Sequence, residues 1–154
     1  MALRKKEYLK KEYLLDPSVD VTATGAGIFT LRACDPNGNA LPEGFVVSKV
    51  SAIVETALTV TGGSVTFGTE TDPDGFLADF RAAYAAVNSV VRNGEVAGAL
   101  LWDDTNDHEI DYRVNATAAN GVVVCELGTN GLTTGKIRFV VEGYMVSDAA
   151  GYAN

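Results

Sequence analysis

The chain has 154 residues, of which 47% are hydrophobic and 21% charged, and its formal net charge is −8. This length suits one domain with its own core, and the acidic balance argues against nucleic-acid binding by the body of the chain. No apolar run reaches the roughly 18 residues of a membrane-spanning helix, and charges that recur through Glu12 argue against a secretory signal.

The N-terminal segment is basic, and we assign residues 1–17 to an arm and residues 18–154 to a single β-rich domain. Residues 1–13 carry five basic and two acidic side chains, a net charge of +3, whereas the rest of the chain carries −11. The arm repeats the sequence KKEYL at 5–9 and 10–14. A helix this short is marginal in water, so we expect disorder in isolation and order on docking.

The arm supplies the candidate contact residues, because its lysines suit an acidic partner and its tyrosines and leucines can serve as anchors. In a helix, Leu9 and Tyr13 would share one face. A frayed terminus without a role is the alternative. The candidate contact residues of the arm, with a partner or with a neighbouring copy of the chain, are Arg4, Lys5, Lys6, Tyr8, Leu9, Lys10, Lys11, Tyr13 and Leu14.

Beyond the arm, β-branched residues and Gly-rich turns predict seven or eight short strands. Strand parity places Val46, Val50, Ala52 and Val54 on one face of the second expected strand. We expect the third and fourth strands to form a hairpin about residues 61–63. The expected strands cover residues 28–34, 45–56, 57–60, 64–68, 96–102, 110–117, 122–127 and 136–146.

The last expected strand has a clear alternation. Ile137, Phe139, Val141 and Met145 face one way, and the polar side chains between them face the other.

One helix is expected at residues 73–92. Asp72 followed by Pro73 suits a helix N-terminus, and Asn93-Gly94 suits its end. An apolar stripe at helical spacing joins them, made of Phe76, Phe80, Tyr84, Val87 and Val91. The fold class predicted from these patterns is mainly β: an antiparallel sandwich or jelly roll with one helix and an extended N-terminal arm.

No arrangement typical of catalysis is evident. His108 is the single histidine, no nucleophile elbow accompanies it, and the HExxH and CxxC spacings of zinc sites are absent. Asp103, Thr105, Asp107 and Glu109 alternate as cation ligands can, but His108 and Val114 stand where a calcium loop needs glycine and glutamate, so a polar turn is the favoured explanation. We therefore expect no catalytic residue, no metal, no cofactor and no enzymatic activity. Cys34 and Cys125 lie in apolar, strand-like surroundings, so we expect two free, buried thiols; a disulfide between them is the alternative.

Two segments carry a resemblance to a known family. They are SVTFGTETDPDGFL at 64–77, a strand followed by an Asp-rich turn, and GLTTGKIRFVVEGY at 131–144, a Thr-x-Gly turn that feeds a terminal strand. From about residue 46 to 146 the chain resembles the jelly-roll virion proteins of tailed bacteriophages, in particular capsid decoration (cement) proteins. The resemblance implies a location on the outer capsid surface, assembly as a homotrimer and stabilisation of the shell formed by the major capsid protein.

Three functions follow as hypotheses. The first is a non-enzymatic virion structural protein that binds and braces the major capsid shell, with the arm making inter-subunit contacts and with no nucleic-acid or membrane partner. The second is a jelly-roll carbohydrate-binding module in a fibre or head-surface position, which would use Tyr112 or Tyr144 with acidic loop residues. The third is a small hydrolase built on residues of the 103–109 stretch.

Overall fold

The computed structural model describes residues 4–16, 27–34, 40–60, 64–79, 86–93, 98–115, 121–128 and 132–148. Every strand pair in these ranges is antiparallel. The strands are β1 (Arg4–Leu15), β2 (Gly27–Thr30), β3 (Arg32–Ala33), β4 (Val46–Val60), β5 (Val65–Thr69), β6 (Asp72–Leu77), β7 (Val90–Arg92), β8 (Trp102–Asp103), β9 (His108–Glu109), β10 (Tyr112–Arg113), β11 (Val123–Leu127) and β12 (Leu132–Asp148).

Two sheets and one hairpin organise these strands. The first sheet has the order β10-β4-β12-β1-β3, and β7 also pairs with β4. The second sheet has the order β2-β11-β5-β6, and β8 pairs with β9 in a hairpin. The expectation of a mainly β, antiparallel fold is thus confirmed, whereas a jelly-roll connectivity stays a prediction.

The core lies between the two sheets and is centred on Phe67 of β5. Its ring stacks on that of Phe139 of β12, with centroids 4.3 Å apart. The rings of Tyr13 on β1 and Phe76 on β6 lie 6.5 and 5.6 Å away. All four side chains are completely buried, and burying rings of this size contributes strongly to folding.

The basic segment is an integral part of the first sheet. Residues 4–15 pair with β12 along their whole length, in register from Arg4 with Asp148 to Leu15 with Ile137. The expected disorder in isolation and the expected helical face of Leu9 and Tyr13 are therefore wrong. The segment is a strand because of its tertiary contacts. Pairing with β12 satisfies its backbone hydrogen bonds, and Tyr13 and Leu15 are buried in the core.

The expected helix at 73–92 is also wrong. Its first residues form β6 and its last three form β7, while residues 80–85 lie outside the described part. Between them, Asn88 has a φ of 68° and donates its N–H to the carbonyl of Val54 at 2.8 Å. Pairing with β5 and β4 thus outweighs the local helical spacing, because tertiary context overrides propensity.

Strand parity is correct where no bulge intervenes. Ile137, Phe139 and Val141 are buried as expected. In β4 the register shifts opposite the Glu142–Gly143 step of β12, so that Val47, and not Val46, is fully buried. A one-residue bulge changes which side chains face the core.

Several expected boundaries also differ from the structure. Segments 45–56 and 57–60 form the single strand β4, and β4 and β5 belong to different sheets, so that they do not form a hairpin. The chain likewise crosses from the second sheet to the first between β2 and β3. Of the strands expected at 96–102 and 110–117, the described part contains the short β8 and β10.

Candidate interaction surface

The outward side of β1 is a row of exposed side chains. Tyr13 and Leu15 point into the core, so strand alternation turns Lys6, Tyr8 and Lys10 away from it. All three are exposed, and Tyr8 keeps 74% of its surface. One face of β1 therefore stabilises the fold, whereas the other face exposes charged and aromatic side chains to solvent.

The predicted contact residues therefore divide into groups. Tyr13 is completely buried, so it is not part of the surface. Leu9, Lys11 and Leu14 are half-buried, and Leu9 packs against the core. Arg4 and Lys5 lie on β1, but their side chains are outside the described part.

Two tyrosines and a lysine form an aromatic cluster on this surface. The Tyr8 and Tyr144 rings meet edge to face, with centroids 6.2 Å apart. The Lys6 ammonium lies 3.7 Å from the Tyr144 centroid and 5.2 Å from that of Tyr8. A cation over an aromatic face is attracted to the ring, so the arrangement holds Lys6 in place beside an exposed ring.

A shallow depression of about 300 Å³ lies between β1 and β4. It lies over Gly143, where a side chain is excluded because a Cβ would stand 2.0 Å from the carbonyl oxygen of Val46. Its lining residues are Tyr8, Leu9, Lys10, Ser48, Lys49, Glu142 and Gly143. We call these residues together with Lys6 and Tyr144 the basic face.

Ion pairs on and beside the basic face are mostly solvated. Lys10 lies 3.5 Å from Glu12, and Lys49 lies 3.5 Å from Glu142, with at least a third of each side chain exposed. Pairs of this kind contribute about 0–1 kcal/mol. These lysines therefore lose little on exchanging a carboxylate of their own chain for one of a partner.

Charge is divided between the first sheet and the rest of the chain. Eleven of the twelve basic residues lie on strands of the first sheet, with five acidic ones, a net charge of +6. The twelfth, Arg81, lies outside the described part. The rest of the chain holds the other 15 acidic residues and has a net charge of −14. Such a division orients a charged protein toward an acidic surface.

The acidic stretch at 103–109 is a hairpin. Asp103 accepts hydrogen bonds from the backbone N–H of Thr105 at 2.9 Å and from the side chain of Asn106 at 2.8 Å. Both bonds lower the pKa of the Asp103 carboxyl, and the bond from Asn106 has the larger effect. His108 is exposed on β9. Within the described ranges, no group of three or more histidines, cysteines or carboxylates is placed to hold a metal ion.

A pair of carboxylates lies on β6. Burial raises the pKa of Asp72 above its ordinary value of 3.8, and the hydrogen bond and negative charge of Asp74 raise it further. Such a group binds more protons in the folded state than in the unfolded one. Its contribution to stability is therefore complete below pH 3.8 and is lost as the pH rises through the folded-state pKa.

The cysteines differ in environment. Cys125 is completely buried, and burial raises the pKa of its thiol. Cys34 is exposed, in contrast to the expectation, and its Sγ accepts a hydrogen bond from Arg138 at 3.3 Å. Both are free thiols.

Comparison with known proteins gives matches at the level of structure. No family model matches the chain, and no curated protein does so either. A chain in "Acidic stable capsid structure of Helicobacter pylori bacteriophage KHP30" is similar to this one, with 20% sequence identity and a TM-score of 0.57; the alignment covers 96% of this chain and 98% of the phage chain. A chain in "Cyanophage Pam1 capsid asymmetric unit" is also similar, with 16% identity and a TM-score of 0.52; the alignment covers 94% of this chain and 86% of the cyanophage chain.

The chain has a fold that occurs in phage capsids. Because both alignments span nearly all of this chain, the likeness extends over both sheets. No helix in the described part is long and apolar enough to cross a membrane.

Residues of the basic face on β4 and β12 were not among the predicted contacts. Lys49, Glu142 and Tyr144 reach it because β1 and β4 flank β12. The alternation of residues 136–146 does signal an outward position for Glu142 and Tyr144. The pairing of β1 with β12 joins positions about 130 residues apart in sequence, and no local pattern encodes such a pairing.

Proposed function

We propose that the chain is a non-enzymatic structural protein of a phage virion, of the decoration type, which binds the outer surface of the capsid and braces the major capsid shell. It acts there as a homotrimer. The observation that carries this proposal is the likeness of the whole fold to chains in two phage capsid structures. The alignment covers 98% of the KHP30 chain, so the two chains have nearly the same length as well as the same fold.

The basic face is the proposed contact with the shell. The first sheet carries a net +6, and an exposed tyrosine with two lysines stands on its outer side. Contacts of this kind are favoured by an acidic partner and weaken as salt increases. Three linked copies bind more tightly than one, because each further contact forms at a high effective concentration.

The carbohydrate-binding hypothesis finds no comparable support. Tyr144 donates its hydroxyl to Asp111 at 3.3 Å and carries Lys6 on its ring. Tyr112 is half-buried, and its ring lies 5.6 Å from that of Phe76. Neither ring offers an uncovered platform of the kind that stacks on a sugar.

Binding to particles tests the proposal. Shells of the source phage prepared without this protein are mixed with the purified full chain and sedimented at low and at high salt. We expect saturable binding that weakens at high salt, and decorated shells that rupture at a higher temperature than bare ones. Absence of binding at either salt concentration, with a correctly folded protein, contradicts the proposal.

A further inference from the structure

Within the part of the chain that the structure describes, one edge of β1 is open over residues 4–10. β1 pairs with β12 from Arg4 to Leu15 on one side. On the other side β3 pairs with Tyr13 and Leu14, and the backbone N–H of Cys34 reaches the carbonyl of Glu12 at 2.8 Å. In the described part of the chain, no strand lies beside residues 4–10 on that side. Unpaired strand edges are the places where another chain can add a strand.

The backbone groups at this edge can be assigned by parity. Because the Glu12 carbonyl points toward Cys34, the N–H and C=O groups of Lys6, Tyr8 and Lys10 also point away from β12, since these directions alternate along an antiparallel strand. The same three residues turn their side chains to the basic face. Each therefore offers a backbone donor, a backbone acceptor and an exposed side chain to one incoming strand.

We propose that the edge of β1 at Lys6, Tyr8 and Lys10 binds an extended acidic segment of another protein as an additional strand. This inference deepens the proposed function and rests on it, because the partner is then a protein of the phage shell. Lys6 and Lys10 are four residues apart, so the residues opposite them in the added strand are four apart as well. The segment thus carries two carboxylates that flank an apolar residue opposite Tyr8, because oppositely charged and aromatic cross-strand pairs are favourable.

A second copy of β1 is a poorer occupant. In antiparallel self-pairing centred on Tyr8, the register that uses all three edge residues of both copies, Lys6 of one copy lies opposite Lys10 of the other. Like charges directly opposite each other are destabilising, and lysines on an edge are a common protection against self-pairing. Charge complementarity therefore favours an acidic strand.

Two synthetic peptides test the inference on the full chain, TTETVTETT and its basic counterpart TTKTVTKTT. Binding is followed by fluorescence anisotropy at low salt, and backbone amide exchange is followed by NMR. We expect the acidic peptide to bind at least about tenfold more tightly than the basic one. The reason is that Lys6 and Lys10 form two attractive cross-strand pairs with the acidic peptide and two repulsive pairs with the basic one. We also expect the amides of Lys6, Tyr8 and Lys10 to become protected from exchange.

Two substitutions form a matched pair. Lys10 and Lys49 have 57% and 53% of their side chains exposed, and each lies 3.5 Å from one carboxylate. Of these two lysines, Lys10 is at the open edge of β1, whereas Lys49 lies on β4. Lys10→Gln is expected to weaken binding of the acidic peptide about threefold or more, and Lys49→Gln to change it less than about twofold. Equal loss in both variants overturns the inference in favour of general electrostatic attraction.

Further variants separate edge pairing from side-chain effects. Tyr8→Pro removes an edge N–H and is expected to abolish peptide binding, since proline cannot donate to a ladder. The double variant Lys6→Glu with Lys10→Glu keeps the edge and is expected to prefer the basic peptide, a result that does not depend on how the proline variant folds. Equal affinity of the wild-type protein for both peptides, or binding of neither, overturns the inference.

Sedimentation of the free protein tests the other occupant. A concentration-dependent dimer that Tyr8→Pro abolishes overturns the inference in favour of a second copy. The peptide experiment contains no phage particles, so its failure leaves the proposed capsid role standing. Loss of particle binding with intact peptide binding contradicts the capsid role alone.

Discussion

Deletion of residues 1–15 is expected to unfold the chain, because β1 is both a sheet strand and a wall of the core. The deletion removes Tyr13 and Leu15, whose relative exposures are 0% and 1%. It also uncovers Phe67, whose ring lies beside that of Tyr13, and Ile137, which is paired with Leu15. Losing a buried aromatic side chain costs about 3–5 kcal/mol, and losing a buried leucine about 2–5 kcal/mol.

The sum is roughly 5–10 kcal/mol, before any loss of strand pairing. The whole free energy of unfolding of a domain this size is about 5–15 kcal/mol. Little or no stability is therefore left. The same deletion cannot be used to measure docking, because lost binding would follow from lost folding.

Far-UV circular dichroism with thermal and urea unfolding checks this prediction. The control is Lys6→Ala with Tyr8→Ala, which changes exposed side chains of the same strand and is expected to cost about 1–2 kcal/mol through loss of the contacts with the Tyr144 ring. The expected results are no cooperative transition in the truncated chain and a cooperative transition, shifted by a few degrees, in the control. A truncated chain that melts cooperatively within a few degrees of the intact protein refutes the assignment of β1 to the core.

Three further predictions concern single sites. Gly143→Ala is expected to cost about 1–3 kcal/mol or more in urea unfolding, because its Cβ would overlap a backbone carbonyl; an unchanged midpoint contradicts the close packing. Asp72→Asn is expected to raise the melting temperature at pH 7 and to flatten the fall in stability as the pH rises above 3.8, since the native carboxyl is costly to ionise; an unchanged pH profile contradicts this. A thiol reagent is expected to modify Cys34 alone in the native protein and both Cys34 and Cys125 in denaturant; rapid native reaction of two thiols contradicts the burial of Cys125.

Sequence alternation predicts the buried side chains correctly where a strand is regular and packs on the core with one face. Ile137, Phe139 and Val141 occupy every second position, with the polar Arg138 and Glu142 on the opposite face, and all three are buried. Phe76 and Val91 mislead, because residues on two short strands can share a spacing that also fits one helix face. Pairing with distant strands decides between these alternatives.

The role of β1 could be predicted only in part. Its lysines and tyrosines are visible in the sequence, and Lys6, Tyr8 and Lys10 do lie on an exposed surface, whereas Tyr13 is buried. Its strand character is obscured, because Glu7 has the same parity as Tyr13 and is nevertheless exposed. Alternation is therefore lost in the first half of the strand, and only the long-range pairing with β12 reveals it.

We propose above that this chain is a structural component of a phage virion that binds the capsid shell. Quantitative mass spectrometry of purified virions from the source phage tests it most directly, with the copy number expressed relative to the major capsid protein. We expect a ratio near one or a simple fraction of it. Absence from the virion, or a handful of copies as in a fibre, neck or tail component, would contradict a structural role in the shell.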